Sequence, residues 1–178
     1  MHSVILEFWF EELAPAQWWR ADATLDQMIR SRFGSLHRAA CAGELFDWRA
    51  TPEGRLAEVI VLDQFSRNIH RATPAAFAAD PMALALAQEA VRAEADLPLP
   101  EQQRAFLYLP YMHSESAMIH VQAEQLFRTR APKSNYDAEL QHKAIIDHFG
   151  RYPHRNEILG RTSTPEELAF PREPDSRF

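Results

Sequence analysis

Apolar positions along this chain recur three or four residues apart, the spacing of helix faces, and no run of β-branched residues alternates in the manner of a strand. Residues 4–13 place Ile5, Phe8, Trp9 and Leu13 on one aromatic-rich face with acids between them. Asp22 predicts the N-cap of a helix that runs to about Ala42 and stops at Gly43. Thr51-Pro52-Glu53 predicts a second start, with proline at the first helical position. Asp80-Pro81 repeats that device before an alanine-rich helix that fades near Ala93. Asp96-Leu97-Pro98-Leu99-Pro100 reads as a connector. The helix that follows from about Glu101 is interrupted or kinked at Pro110 and resumes through Phe127. Residues 131–135 read as a loop, and Tyr136–Phe149 as a helix that Gly150 ends. Thr164-Pro165 opens a short last helix before a polar, proline-containing tail. Helices on short linkers predict one all-α domain of antiparallel pairs spanning residues 1–178.

Three segments break the apolar pattern with polar residues: 62–68, 111–115 and 150–156. A buried charge costs several kcal/mol, roughly, unless it is paired, so a chain that keeps several is expected to use them together. Projected at about 100° per residue, Asp63, Arg67 and His70 fall on the arc of Leu56, Val59 and Ile60. Asp63 and Arg67 stand at i,i+4, where carboxylate and guanidinium pair directly. That pair serves either to lock a central helix or to present Arg67 to a ligand.

In the second segment Glu115 falls on a helix face with Ile119, Gln122 and Leu126. His113 falls with His120 and Glu124 on a face that reads as solvated, unless Pro110 shifts the register and turns His113 inward beside Tyr111. His142 shares a face with Ile145, Ile146 and Phe149, the usual setting of a satisfied core histidine. After Gly150, Arg151, His154, Arg155 and Asn156 precede Arg161. A helix start at Pro153 would make this stretch an anion cradle; the other reading is a helix terminus fastened by side-chain bonds.

Composition narrows the partners. A formal charge of −6 gives no net positive field to attract phosphate backbones, so no nucleic-acid partner is expected. No apolar stretch approaches the ~20 residues of a membrane span. The opening segment, with Glu7, Glu11 and Glu12, makes a poor signal peptide. The single cysteine, Cys41, lies in an alanine run that reads as buried packing and fits a reducing, cytoplasmic setting.

The same segments carry a family resemblance. Leu62-Asp63-Gln64-Phe65-Ser66-Arg67-Asn68, Tyr108-Leu109-Pro110-Tyr111-Met112-His113-Ser114-Glu115 and the stretch from His148 to Asn156 resemble the signature blocks of a mostly bacterial domain family of unknown function, numbered 924. Val4–Phe10 and Leu159–Glu167 fit as well, and Ser66 stands where the family often has proline. The resemblance implies a single all-helical domain similar to tetratricopeptide-like folds, with helix pairs stacked into a right-handed superhelix. It implies no activity.

Three functions remain open. In the first, a polar pocket holds a small anionic ligand or a peptide carboxylate through Arg67, Arg155 and Arg161. Asp63, Glu115 and Asn156 orient those cations, Tyr108 and Tyr111 wall the pocket, and Asn68, His113, Arg151 and His154 line it. In the second, an enzyme of hydrolase type uses His113 or His154 as acid/base, with Glu115 or Asp63 as partner. Of possible metal ligands, His113, Glu115, His142 and His154 lack diagnostic spacing, so neither metal nor cofactor is expected. In the third, the blocks only brace the fold. Oligomeric state is not legible.

Overall fold

Capping chemistry sets several of the helix starts. In the computed structural model, which describes residues 2–170, α1 (Ser3–Glu7) continues into a π-helical turn, Phe8–Glu12. Helix α2 (Ala23–Cys41) begins where Asp22 Oδ1 accepts from the N–H groups of Thr24 and Leu25. Helix α3 (Pro52–Ile60) begins under the hydroxyl of Thr51, which accepts from Gly54 N–H. A second π-helical turn, Val61–Phe65, joins α3 to α4 (Ser66–Ile69). Helices α5 (Asp80–Arg92), α6 (Glu101–Met112), α7 (Ala117–Arg130), α8 (Lys133–Phe149) and α9 (Pro165–Ala169) complete the order, and no strand occurs among the described residues. The polar tail expected after the last helix lies outside the described residues.

Several boundaries differ from the sequence expectation. Pro110 does not break α6, which carries it two residues from its end. The segment from Ala105 to Met112 is wholly buried, and packing there outweighs the lost N–H bond. Helix α7 runs past Phe127 to Arg130, and α8 starts at Lys133 instead of Tyr136, with Pro132 as its N-cap. Asp80 does not cap α5: Ala79 takes that position and the carboxylate of Asp80 points to Arg67. Cys41, expected to be buried, is exposed at the last residue of α2, and its sulfur lies 3.6 Å from Nε2 of His37. No helix among the described residues is long and apolar enough to cross a membrane.

The main core gathers the aromatic face of the first segment. Phe8 meets Phe33 at 4.9 Å between ring centroids, and Trp9 meets Phe106 edge-on at 5.8 Å. Helix α3 packs on both α5 and α6, while α6, α7 and α8 pack each on the next. That arrangement brings the π-turn after α3, the start of α5 and the end of α6 together. A smaller core of Ile145, Ile146 and Tyr152, with Phe149 and Phe170 against it, seats the chain beyond α8. Gly150, left-handed at φ 69°, is the residue that turns the chain there.

Candidate functional site

The π-turn explains where the first block points. A π-turn carries one residue more than an α-turn, so residues after it lag their α-helical projection. Arg67 stays with Asp63, while His70 swings to the other side, its ring 5.3 Å from that of His37. Asp63 is buried; its carboxylate accepts from Gln64 Nε2 at 2.5 Å and His113 Nδ1 at 2.8 Å and forms an ion pair with Arg67 at 3.1 Å. Burial alone would raise its pKa. The charge of Arg67, with the hydrogen bond from His113, overrides that and holds the carboxyl well below the usual range. Arg67 also forks onto Asp80, at 2.9 and 3.0 Å, and donates to the carbonyl of Asp63. The missed residue here is Asp80, whose position before a proline disguised it as a helix cap.

His113 does not follow a helix register. It is the C-cap of α6, and the loop 113–116 that starts with it separates α6 from α7, so both it and Glu115 leave the faces projected for them. Facing a carboxylate acceptor, His113 is assigned a proton on Nδ1, and its Nε2 makes no hydrogen bond to the described residues. Burial and then the Arg67 charge lower its pKa against the pull of Asp63, so the ring is neutral at neutral pH.

His120, read as solvated, is fully buried. Its Nδ1 lies 2.8 Å from Glu139 and its Nε2 2.8 Å from the carbonyl of Ser114. Buried His120 and Glu139 gave no sequence signal, because their helices read as ordinary amphipathic ones.

The third block closes over this loop. Tyr152, wholly buried, donates its hydroxyl to the carbonyl of Met112 at 2.5 Å. Its N–H donates to Glu115 at 2.7 Å. Glu115 also accepts both arms of Arg161, at 2.7 and 2.9 Å. Burial would raise the Glu115 pKa, and Arg161 with the Tyr152 N–H lowers it instead. Asn156 accepts from Nε of Arg161 at 2.9 Å and donates to Ser163, so Arg161 is held on every side.

Arg155 differs from the other cations. Only 6% exposed, it places its guanidinium carbon 4.6 Å from the Tyr152 ring centroid and 4.7 Å from that of Phe77. One arm donates to the carbonyl of His113 at 3.0 Å, the other reaches Asp80 only at 3.6 Å, and Nε is buried without a partner. Burial and the neighbouring Arg67 lower its pKa. His154 lies beside it, with an exposed side and a ring 5.4 Å from Tyr152. Crowding by protein, then Arg155, pushes its pKa below the usual imidazole range. His142 donates to the carbonyl of Ala138 at 2.8 Å, with its ring 5.7 Å from Tyr152.

Asp63, Arg67, His113, Glu115, His154, Arg155, Asn156 and Arg161 thus converge, linked through Asp80 and Tyr152. Others face elsewhere. Asn68 donates to Asp26 of α2, and Arg151 forks onto Glu167 at 2.6 and 2.8 Å. Tyr111 is buried, and burial with the nearby Asp96 raises its pKa to about 12. Among the described residues, no three His, Cys, Asp or Glu side chains are grouped to hold a metal ion.

The family model for "Bacterial protein of unknown function (DUF924)" matches residues 5–175. The chain belongs to that family. A solved structure of a protein of unknown function from Agrobacterium tumefaciens, ATU0120, is 37% identical and superposes with a TM-score of 0.90. The match covers 95% of each chain. No curated protein matches. The three convergent blocks all lie inside the family match, so it is to a DUF924 domain that this polar cluster belongs.

Proposed function

We propose that this DUF924 domain binds a small anionic ligand, a carboxylate in the first instance, beside His113, His154 and Arg155. One observation carries the reading: Arg155 is a buried cation with an unpartnered Nε and only a long contact to a carboxylate already taken by Arg67. Unmade hydrogen bonds on a buried charge are costly, and an anion at the guanidinium edge recovers them. Arg67, Arg161 and Arg151 act as the frame, since each is already forked onto a carboxylate. The ordered stacking of α6, α7 and α8 supports a tetratricopeptide-like arrangement with this cluster within it. A single cysteine supports work in a reducing, cytoplasmic setting.

The test is calorimetric titration of wild type and Arg155→Gln with propionate and with sulfate. Loss of a charge-assisted bond predicts binding at least about tenfold weaker in the variant. Equal affinities, or no binding by wild type at millimolar anion, sink the proposal.

A second reading has its own support, the 2.8 Å contact that orients the His113 ring with Nε2 unengaged, an arrangement suited to a general base. It predicts turnover of some ester or phosphate substrate by wild type and none by His113→Asn. No turnover across such a panel would count against it.

A further inference from the structure

The anion site, if occupied as proposed, sets a requirement on its ligand that charge alone does not meet. Arg155 offers only donors. His113 offers the opposite: with its Nδ1 proton committed to Asp63 at 2.8 Å, the ring presents a bare lone pair at Nε2. The guanidinium of Arg155 lies against the backbone of the same residue, donating to the carbonyl of His113 at 3.0 Å. A plain carboxylate satisfies Arg155 and sets an oxygen lone pair near that of Nε2. A ligand with a hydroxyl beside its carboxylate satisfies both.

We infer that the site selects small 2-hydroxycarboxylates, with the carboxylate on Arg155 and the hydroxyl proton donated to Nε2 of His113. The inference rests on the anion-binding reading above and narrows its ligand class. The surrounding charges keep His113 in the required form. From α3 and its π-turn comes Asp63, from α4 Arg67, from α5 Asp80, from the loop after α6 Glu115. From α8 comes His142, and from the stretch after it Tyr152, His154 and Arg155. The carboxylates Asp63, Asp80 and Glu115 balance the cations Arg67, Arg155 and Arg161, three against three, so no uncompensated negative charge demands an imidazolium. Burial and the nearest cation, Arg67, both favour the neutral ring.

The experiment compares lactate with propionate, which differ by one hydroxyl. Titration of wild type at pH 7.5 is expected to give about tenfold tighter binding of lactate, the worth of one well-made hydrogen bond. Asparagine places its amide nitrogen near the position of Nδ1 and has nothing at Nε2. His113→Asn therefore keeps the bond to Asp63 and removes the lactate preference, bringing the affinities for the two acids together. Should that variant melt early, wild type still decides. Equal affinities for the two acids at pH 7.5, or a preference that survives in His113→Asn, overturn the inference and leave the anion site standing. No binding of either acid at millimolar concentration overturns both.

Discussion

Replacing Asp63 with alanine tests whether the convergent cluster holds the fold. The carboxylate is 1% exposed, so solvent does not dilute its contacts. Its removal leaves Nδ1 of His113 and Nε2 of Gln64 without their acceptor. Arg67 keeps its two bonds to Asp80 and the carbonyl of Asp63, so the guanidinium is not stranded. Breaking a buried pair by deleting one partner costs about 3–5 kcal/mol. With Arg67 still compensated, the expected loss lies at the low end, about 3 kcal/mol. Urea unfolding, read from the midpoint at constant slope, gives the number. The double variant Asp63→Ala, His113→Asn should lose less than the sum of the singles, with a coupling of about 1 kcal/mol or more. A single-variant loss under about 1 kcal/mol, the range of a surface ion pair, would refute the buried-network reasoning.

Stability should also fall as pH drops from 7 towards 5. Burial pushes His142 down to about 3, so it is neutral in the fold but protonates in the unfolded chain below about pH 6.5. The unfolded state then binds more protons, and stability declines by up to about 1.4 kcal/mol per pH unit for such a histidine. The depressed carboxyls of Asp63 and Glu115 add their loss only below the ordinary carboxylate range. A melting temperature that stays flat from pH 7 to 5, or an unchanged slope in His142→Gln, contradicts this. Gly54→Ala, a change that stabilises an ordinary helix, should here destabilise by about 1–3 kcal/mol. The reason is that its Cβ would lie 2.0 Å from the carbonyl oxygen of Trp48 in the backbone. Denaturant unfolding checks it, and a neutral or stabilising result would show that the Trp48 turn yields freely.

What the sequence made legible was the periodic part of the fold and the identity of the polar blocks. Caps at Asp22 and Thr51, the stop at Gly150 and the Asp63–Arg67 pair are local features, written within four residues of one another. The misreadings came from non-local causes. The π-turn at 61–65 rotated His70 away from the arc computed for an uninterrupted α-helix. The end of α6 at Met112 freed His113 and Glu115 from helical register, a shift that Pro110 suggested for His113 and that nothing in the sequence suggested for Glu115. Asp80 and Phe77 joined the site through packing of α5 and the turn before it, contacts with no sequence trace. The fourfold role of Tyr152, meeting Met112, Glu115, Arg155 and His154, was equally invisible before the chain was folded.

The most direct measurement is a crystal structure of the protein grown or soaked with lactate. An anion oxygen within hydrogen-bond distance of the Arg155 guanidinium, with the ligand hydroxyl on Nε2 of His113, is the predicted result. Lactate bound elsewhere, or density at Arg155 showing only its contacts to Asp80 and the His113 carbonyl, would contradict it.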